Sequence, residues 1–317
     1  MNHIITSFPF PFKILVKGKN STILDCGIWN DIPIIVKVSH NESKEWITEC
    51  DIQCKIIPHL LNHGIKNIIE TYGIISCLSP IHKKSGLQHD IVQPSTMMIQ
   101  RNIKGHTLHS YVIDKAYSWD QLTNWLLQLF TLLLWFEASP YQLYHNDLHL
   151  GNIIVETETN MVYVVDFGFS ECTIGPNQRT QSLPDKYRYC GTREKASLLL
   201  SGASDMYMLL HQLSYSPHQE VATIASSKKK EFMNHFSISS TIKSNWLYTL
   251  LYKNEATQNE KEREKVHHYH MNVLSTMTYS YCIQTFFPEL TNWKDIIQKI
   301  TECKWEPPHS FMKNCEK

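Results

Sequence analysis

The stretch Tyr144–Asn152 has the sequence YHNDLHLGN, and VVDFG follows it at Val164–Gly168. Each motif carries one aspartate, Asp147 and Asp166, and Asn152 stands five positions after the first of them. Two short runs of β-branched and aromatic residues separate the motifs and predict a strand hairpin. A hairpin returns the chain to its starting point, so we expect the second aspartate to come back to the loop that carries the first.

These residue types match the needs of one reaction. Phosphoryl transfer to a hydroxyl needs a carboxylate that accepts the hydroxyl proton and oxygen ligands for the Mg²⁺ that neutralises the phosphate charge. The pairing of His-x-Asp-x-x-x-x-Asn with Asp-Phe-Gly at this spacing resembles the catalytic loop and metal-binding motif of the protein-kinase superfamily. The resemblance implies ATP and Mg²⁺ as cofactors, with Asp147 as the catalytic base and Asn152 and Asp166 as metal ligands.

Two further residues of the superfamily's pattern lie upstream. Lys37, in the run IIVKV at Ile34–Val38, resembles the strand lysine that contacts the nucleotide phosphates. Glu49 resembles the helical glutamate that holds this lysine, with Glu45 as the fallback. The resemblance therefore adds Lys37 to the catalytic residues and places both Lys37 and Glu49 in the nucleotide site.

The loop that would cover the phosphates departs from the superfamily's glycine-rich pattern. Aligned backward from Lys37, Gly18 takes the middle glycine position, while Val16 and Ser21 stand where the flanking glycines would be. Ile23 matches the aliphatic residue that covers adenine. Side chains at two glycine positions stiffen the loop and crowd the approach of the phosphates. The resemblance still implies that these four loop residues contact the nucleotide.

Motifs on either side of the catalytic loop extend the resemblance. Met97–Ile103 resembles the hinge strand whose backbone binds adenine, which implies contacts from Gln100 and Asn102. Downstream, CGTRE at Cys190–Glu194 resembles the segment that closes the activation region, and Asp205 resembles the helix aspartate that anchors the catalytic-loop backbone. The superfamily's Ala-Pro-Glu triplet is missing from its expected place, so the platform for protein substrates is remodelled.

The catalytic loop itself contains three residues of separate interest. Asn146 replaces the arginine that in many members grips a phosphate on the activation loop, which predicts that this phosphate is not needed. His149 stands where serine/threonine kinases carry lysine, and a histidine can partly replace that positive neighbour of the transferred phosphate. We expect His145 to be a structural hydrogen-bonding group.

Strand patterns come first in the chain and helix patterns later. Apolar runs flanking a turn at Asn30–Asp31 predict an antiparallel meander, and apolar spacing predicts a helix over residues 41–61. A long apolar helix is predicted at Trp119–Ala138, and the chain after residue 204 is mainly helical in pattern.

Together with the resemblance, this order predicts an α+β, protein-kinase-like fold with two lobes. A small antiparallel β-sheet lobe with one helix, residues 1–104, would bind the nucleotide. A larger, mainly helical lobe, residues 105–317, would carry catalysis. We expect ATP to bind between the two lobes.

Bulk composition limits the classes of partner. The 30 Lys and Arg residues balance 30 Asp and Glu residues, so no broad field attracts nucleic acid or an anionic membrane. The apolar run Leu126–Phe136 is too short to span a bilayer. The 9 cysteines contain no CxxC pair, which favours free thiols in a reducing compartment. These features predict no nucleic acid partner, no membrane insertion and a cytoplasmic location. The kinase resemblance implies ATP and a protein substrate or small-molecule alcohol as partners.

Three functions fit these motifs. A protein kinase, with serine or threonine as acceptor, is favoured by the Gly-Thr segment, the Asp-Phe-Gly motif and the N-terminal strands. A small-molecule kinase of the aminoglycoside or choline type is the second, because such enzymes often carry an Asp-Leu-His-x-Gly-Asn loop like Asp147–Asn152. A pseudokinase that only binds is the third, since the glycine loop is degenerate. The Ile-, Asn- and Lys-rich composition also resembles that of kinases of large DNA viruses or of AT-rich parasites.

Overall fold

The computed structural model describes residues 12–17, 21–39, 43–78, 94–114, 116–139, 141–170, 172, 202–235, 278–288, 298 and 302. The chain divides into two compact units. The first unit comprises Met1–Lys104, Asp166–Gly168 and Glu306–Lys317, and the second comprises Gly105–Val165 and Phe169–Trp305. Each unit combines an antiparallel sheet with helices, a composition compatible with a kinase-like fold.

A five-stranded antiparallel sheet forms the base of the first unit, in the order β1-β2-β3-β5-β4. Its strands are β1 (Lys13–Lys17), β2 (Ser21–Trp29), β3 (Ile32–Ser39), β4 (Thr71–Leu78) and β5 (Pro94–Arg101). The predicted meander is confirmed, because Asn30 and Asp31 join β2 to β3 and both have positive φ. Two left-handed residues in a row give the turn whose twist matches that of a hairpin.

Strand alternation directs Lys37 away from the apolar cluster of this sheet. The cluster consists of Leu24, Cys26, Ile34, Val36, Val38 and Met97. Lys37 lies between two of its members in β3, so its side chain projects from the opposite face. Ile23 of β2 and Met98 of β5 are its cross-strand partners and share that face.

A helix with a π-helical turn in its middle follows β3. It consists of α1 (Lys44–Asp51), a π-helical turn (Ile52–Ile56) and α2 (Ile57–Asn62). Ser43 caps α1 by accepting a hydrogen bond from the Trp46 amide at 3.2 Å. The helix predicted over residues 41–61 is confirmed, since the chain is helical from Lys44 to Asn62, but the apolar pattern did not predict the π-helical turn inside it. Pro58, in the first turn of α2, has no N–H to donate to the preceding turn, and the wider π-helical turn accommodates the lost bond.

The second unit combines a three-stranded antiparallel sheet, β6-β7-β8, with a set of helices. Its elements are β6 (Gly105–Thr107), α3 (Leu108–Asp114), α4 (Trp119–Ala138), β7 (Ile153–Glu156), β8 (Val162–Val164), α5 (Gly202–Leu213), α6 (Gln219–His235) and α7 (Tyr279–Phe286). The predicted long helix is confirmed as α4, which begins with a capping box between Ser118 and Gln121. The hairpin predicted between the two aspartate motifs forms as β7 and β8. Among the helices that the structure describes, none has the length and apolar character needed to cross a membrane.

Gly105 begins β6 at a point of very close approach to β7. A Cβ there would lie 2.0 Å from the Val155 carbonyl oxygen, inside any possible non-bonded contact. Because this neighbour is backbone and cannot turn aside, we expect Gly105→Ala to lower the free energy of unfolding by at least about 3 kcal/mol. Urea unfolding would measure the loss.

Gly73→Ala is the matched control for this prediction. A Cβ at Gly73 in β4 meets nothing within 4 Å, so the free energy of unfolding should change by less than about 1 kcal/mol. A Gly105→Ala protein as stable as the Gly73→Ala protein would show that β6 and β7 do not approach each other in this way.

Candidate active site

The first unit buries a lysine between two carboxylates. Nζ of Lys37 lies 2.8 and 2.6 Å from the two carboxylate oxygens of Glu49 in α1, and 3.2 Å from Oδ1 of Asp166. Burial by itself would lower the pKa of Lys37, but the two carboxylates outweigh it and raise the pKa, so the amine stays charged. The structure thus pairs Lys37 with Glu49 rather than with the fallback Glu45, and adds Asp166 to the pair.

Glu49 is the buried acid of this group. Desolvation raises its pKa to about 7, and the Lys37 ammonium opposes that rise. Burial thus favours the neutral form of both members of the pair, and the opposite charge of the partner favours the ionised form of each.

Asp166 differs from Glu49 in its access to solvent. Its side chain is 49% exposed, and its φ of +66° is a left-handed conformation that aspartate tolerates better than most residues. The next residue, Phe167, is fully buried, which fixes the chain on one side of the aspartate. A half-exposed carboxylate is the hard oxygen donor that Mg²⁺ prefers, so Asp166 fits its predicted role as a metal ligand.

The residues predicted to cover the nucleotide lie along the first two strands. Ile23 lies directly opposite Lys37 in the sheet and projects from the same face. Val16 lies on the edge strand β1 and is 54% exposed, and Ser21 begins β2. Gly18 lies outside the described residues. The structure therefore brings Ile23 to the lysine, while contact of any of these residues with a nucleotide stays a prediction.

The two residues predicted for the hinge already have partners within the first unit. The Gln100 side chain donates to Oγ1 of Thr71 at 3.1 Å. The Asn102 backbone N–H, just past the end of β5, donates to the Pro33 carbonyl at 2.8 Å. Adenine binding by Gln100 and Asn102 stays a prediction, and it requires either other backbone groups or displacement of the Pro33 carbonyl.

In the second unit, the loop that carries Asp147 is held by its own polar groups. Nδ2 of Asn152 donates to the Asp147 carbonyl at 2.9 Å, and the Gly151 N–H donates to Nδ1 of His149 at 3.0 Å. Leu150–Asn152 forms a single 3-10 turn. The bond from Asn152 turns its carboxamide oxygen away from the Asp147 carbonyl. That oxygen is the atom that can ligate a metal, so Asn152 also fits its predicted role.

Asp147 and His149 face each other inside this loop. Asp147 is 5% exposed, and its Oδ2 lies 3.8 Å from Nε2 of His149. Because Nδ1 of His149 accepts the Gly151 amide, the ring proton belongs on Nε2, the nitrogen nearer the carboxylate. His149 therefore presents a neutral N–H towards Asp147, rather than the positive charge of the lysine it replaces.

The side chains of the two residues before Asp147 donate hydrogen bonds to backbone carbonyls. Nε2 of His145 donates to the Val165 carbonyl at 3.0 Å, which confirms its expected structural role. Asn146 has a φ of +62°, and its Nδ2 donates to the Phe169 carbonyl at 3.2 Å. Asparagine visits this left-handed conformation more readily than arginine does. The left-handed backbone therefore explains why asparagine is favoured over arginine at position 146, and the sequence pattern did not predict this.

Asp205 of α5 anchors the backbone of the loop that carries Asp147, as the resemblance implies. Its carboxylate accepts the backbone N–H of Asn146 at 3.1 Å and that of Leu148 at 3.0 Å. Tyr279 of α7 donates its hydroxyl to the same carboxylate at 2.5 Å and accepts the His145 N–H at 3.1 Å. Burial raises the pKa of Asp205, and these donors oppose the rise. The loop residues on both sides of Asp147 are thus tied to one carboxylate.

Sequence reasoning missed Tyr279 and also Gln212. Oε1 of Gln212 in α5 accepts the Leu150 N–H at 2.6 Å. Neither residue belongs to a motif, and each is distant from the loop along the chain, so a single sequence carries no signal for them. The predicted segment Cys190–Glu194 lies outside the described residues.

A metal site built from the described residues would need ligands other than a cluster of His, Cys, Asp and Glu side chains. Within the described part of the chain, no group of three or more His, Cys, Asp and Glu side chains could hold a metal ion. The two predicted ligands are of another kind, because Asn152 would bind through a carboxamide oxygen. Mg²⁺ commonly takes one or two protein ligands and completes its shell with water and substrate phosphates.

Two comparisons with known proteins agree with this chemistry. Residues 101–175, which include the loop Tyr144–Asn152 and Asp166, match the model of the phosphotransferase enzyme family (APH). Over 128 residues, 40% of this chain, the sequence is 21% identical to a Mycoplasma pneumoniae protein named "Putative serine/threonine-protein kinase". The match spans 32% of that protein's length. Both similarities support a kinase-like phosphotransferase, and therefore an enzyme.

Proposed function

We propose that this protein transfers the γ-phosphate of Mg-ATP to a protein hydroxyl, with serine and threonine as the acceptors. The observation that carries the proposal is the buried Lys37, held 2.6 Å from Glu49 and 3.2 Å from Asp166. A buried ion pair contributes less to stability than apolar residues of similar size commonly would. A charged amine held in one orientation is, however, well suited to bind phosphate oxygens as charge develops on them.

In this proposal each remaining residue has one task. Glu49 keeps the Lys37 ammonium charged and oriented. Asp147 orients the acceptor hydroxyl and accepts its proton while the hydroxyl oxygen forms its bond to the γ-phosphorus and the bond to the ADP oxygen breaks. The low exposure of Asp147 limits competition from water, and Nε2 of His149 lies 3.8 Å from its carboxylate.

Asp166 and Asn152 are the oxygen donors that we propose for Mg²⁺. Their carboxylate and carboxamide oxygens match the hard ligands that this ion prefers. When bound, the ion neutralises phosphate charge. Retention of these two residues together with Lys37 and Asp147 speaks for catalysis and against a pseudokinase.

The acceptor is the finer part of the proposal. A protein acceptor is supported by the printed name of the Mycoplasma relative and by the sequence resemblance of Cys190–Glu194 to the end of an activation segment. A small-molecule alcohol is the second candidate, favoured by the match to the APH family and by the Asp-Leu-His-x-Gly-Asn pattern of the catalytic loop.

Transfer of radiolabelled γ-phosphate to two acceptor panels tests this proposal. One panel contains serine, threonine and tyrosine peptides, and the other contains small alcohols, including aminoglycosides and choline. We expect Mg²⁺-dependent labelling of the serine and threonine peptides that disappears on chelation of the metal. Asp166→Asn should reduce the labelling by about 10²-fold or more, because it weakens the metal ligand.

The panels separate the candidates. Labelling of small alcohols alone would replace the protein acceptor with the second candidate. An absence of both transfer and ATP turnover, in a folded protein that binds Mg-ATP, would contradict a phosphotransferase and favour a binding module.

A further inference from the structure

Helix α7 brings a residue from late in the chain to the backbone of the catalytic loop. The Tyr279 hydroxyl donates to Oδ2 of Asp205 and accepts the N–H of His145, which lies 134 positions earlier. The side chain is fully buried. One phenol therefore bridges the anchoring aspartate and the loop, and both of its hydrogen-bonding directions are used.

The chemistry of this phenol suits a fixed donor. Desolvation and the Asp205 carboxylate raise the pKa of Tyr279 well above its ordinary value, so the hydroxyl keeps its proton. The Asp205 carboxylate accepts a hydrogen bond from this hydroxyl and two more from the backbone N–H groups of Asn146 and Leu148. A carboxylate bound from three sides has a defined orientation, and removal of the phenol would leave one of its oxygens with one donor fewer.

Helix α7 is itself held in place at both ends. At its start, the Glu137 carboxylate of α4 accepts the Ser280 N–H at 2.8 Å and the Ser280 hydroxyl at 2.7 Å. At its end, Lys228 of α6 donates to the Phe286 carbonyl. An acid at the N-terminus and a cation at the C-terminus both complement the helix dipole. These contacts fix α7 independently of the catalytic loop.

Close packing of α5 against α7 adds a second constraint. A Cβ on Gly202, at the start of α5, would lie 2.5 Å from the Tyr279 backbone nitrogen. Only glycine therefore allows the two helices to meet where Asp205 and Tyr279 form their hydrogen bond. The position of the phenol is set by α4, α5 and α6 together.

We propose that Tyr279 is a positioning residue for phosphotransfer, because its hydroxyl fixes the Asp205 carboxylate and the His145 backbone and so sets the direction of the Asp147 side chain. The kinetic consequence rests on the function proposed above. Tyr279 makes no contact with the reacting atoms in this role. Misplacement of a catalytic group by about 1 Å can cost about 10²-fold in rate, so the bridge affects turnover more than nucleotide binding.

Tyr279→Phe keeps the ring and removes only the bridging oxygen. We expect kcat to fall by about 10- to 100-fold, with the KM for ATP changing by less than about twofold. The control is Tyr281→Phe, the same substitution on the exposed side of the same helix, where the hydroxyl contacts His235. Its kcat should equal that of the unsubstituted protein. If the substitution only destabilised the fold, the amount of active protein and the affinity for ATP would both fall. A lower kcat with an unchanged KM for ATP would then not be seen.

Amide hydrogen exchange gives a readout that does not need turnover. The His145 N–H loses its acceptor in Tyr279→Phe, so its exchange should accelerate by about tenfold or more, while the amides of α4 exchange as before. Should Tyr279→Phe fold poorly, Glu137→Gln loosens the start of α7 without touching Asp205 and should give the same split on a smaller scale.

Two results would overturn the proposal. One is a Tyr279→Phe protein with unchanged kcat, whatever the exchange at His145. The other is a lowered kcat with unchanged exchange at His145, which would place the effect elsewhere. If the unsubstituted protein transfers no phosphate, the function proposed above fails on its own, and the exchange experiment still decides whether Tyr279 holds the loop.

Discussion

Asp147→Asn is expected to lower kcat by about 10²- to 10⁴-fold, with the affinity for Mg-ATP changed by less than about threefold. The substitution keeps the size of the side chain and removes its capacity to accept a proton. The loop should keep its conformation, because the substitution leaves in place the hydrogen bonds of the Asp147 carbonyl, the His149 ring and the Asp205 carboxylate. The measurement is single-turnover transfer of the γ-phosphate beside calorimetric titration with Mg-ATP.

The thermal stability of Asp147→Asn distinguishes the loss of the proton acceptor from unfolding of the protein. Asp147 is 5% exposed, and a buried carboxylate costs free energy that a neutral amide avoids. The Tm of Asp147→Asn should therefore equal or exceed that of the unsubstituted protein. Asp114→Asn, the same change at an exposed position in the last turn of α3, is the control and should leave kcat unchanged. Turnover that survives Asp147→Asn would remove Asp147 from the role of base.

The sequence predicted best what depends on local pattern or on motif order. Apolar spacing and a capping box are contained within a few turns, so the helix Trp119–Ala138 could be predicted with its correct ends. The order of motifs was sufficient to pair Lys37 of β3 with Glu49 of α1, whose side chains lie 2.6 Å apart in the structure. The hairpin predicted from the two β-branched runs after the loop forms as β7 and β8, and Asp205, implied by the kinase resemblance, binds the loop backbone.

Contacts made only by tertiary packing could not be predicted in this way. Tyr279 reaches the loop from 134 positions away, and Gln212 reaches it from 62 positions away, each through the placement of a whole helix. The π-helical turn before α2 was missed for a different reason. Helical spacing continues through Pro58, while the lost backbone donor acts on the turn before it and leaves the apolar pattern intact.

Lys37→Met is expected to lower kcat/KM for ATP by about 10²- to 10³-fold, because it removes the positioned charge next to Asp166 while keeping a side chain of similar length. The protein should still fold at neutral pH. Burial raises the pKa of Glu49 to about 7 even with the lysine present, so the loss of the ammonium raises it further and the acid becomes neutral. A neutral carboxyl avoids the full cost of an unpaired buried charge.

This protonation gives Lys37→Met a pH signature that a simple loss of packing would not produce. Glu49 has an unfolded-state pKa of about 4.3, and in the variant its folded-state pKa lies above about 7. A raised folded-state pKa stabilises the fold fully below the unfolded pKa, and the stabilisation is lost as pH rises through the folded pKa. Between pH 7 and 9 the free energy of unfolding should therefore fall in the variant relative to the unsubstituted protein, by at most about 1.4 kcal/mol per pH unit.

Two further variants identify the source of that slope. Adding Glu49→Gln to Lys37→Met removes the titrating acid, so the difference in slope should vanish while kcat/KM stays low. Lys55→Met removes a lysine from an exposed pair with Asp51 on the same helical segment, and it should change the free energy of unfolding by less than about 1 kcal/mol at any of these pH values. A slope that persists without Glu49 would mean that another group takes up the proton. Unchanged kcat/KM in Lys37→Met would mean that the lysine does not act on the nucleotide.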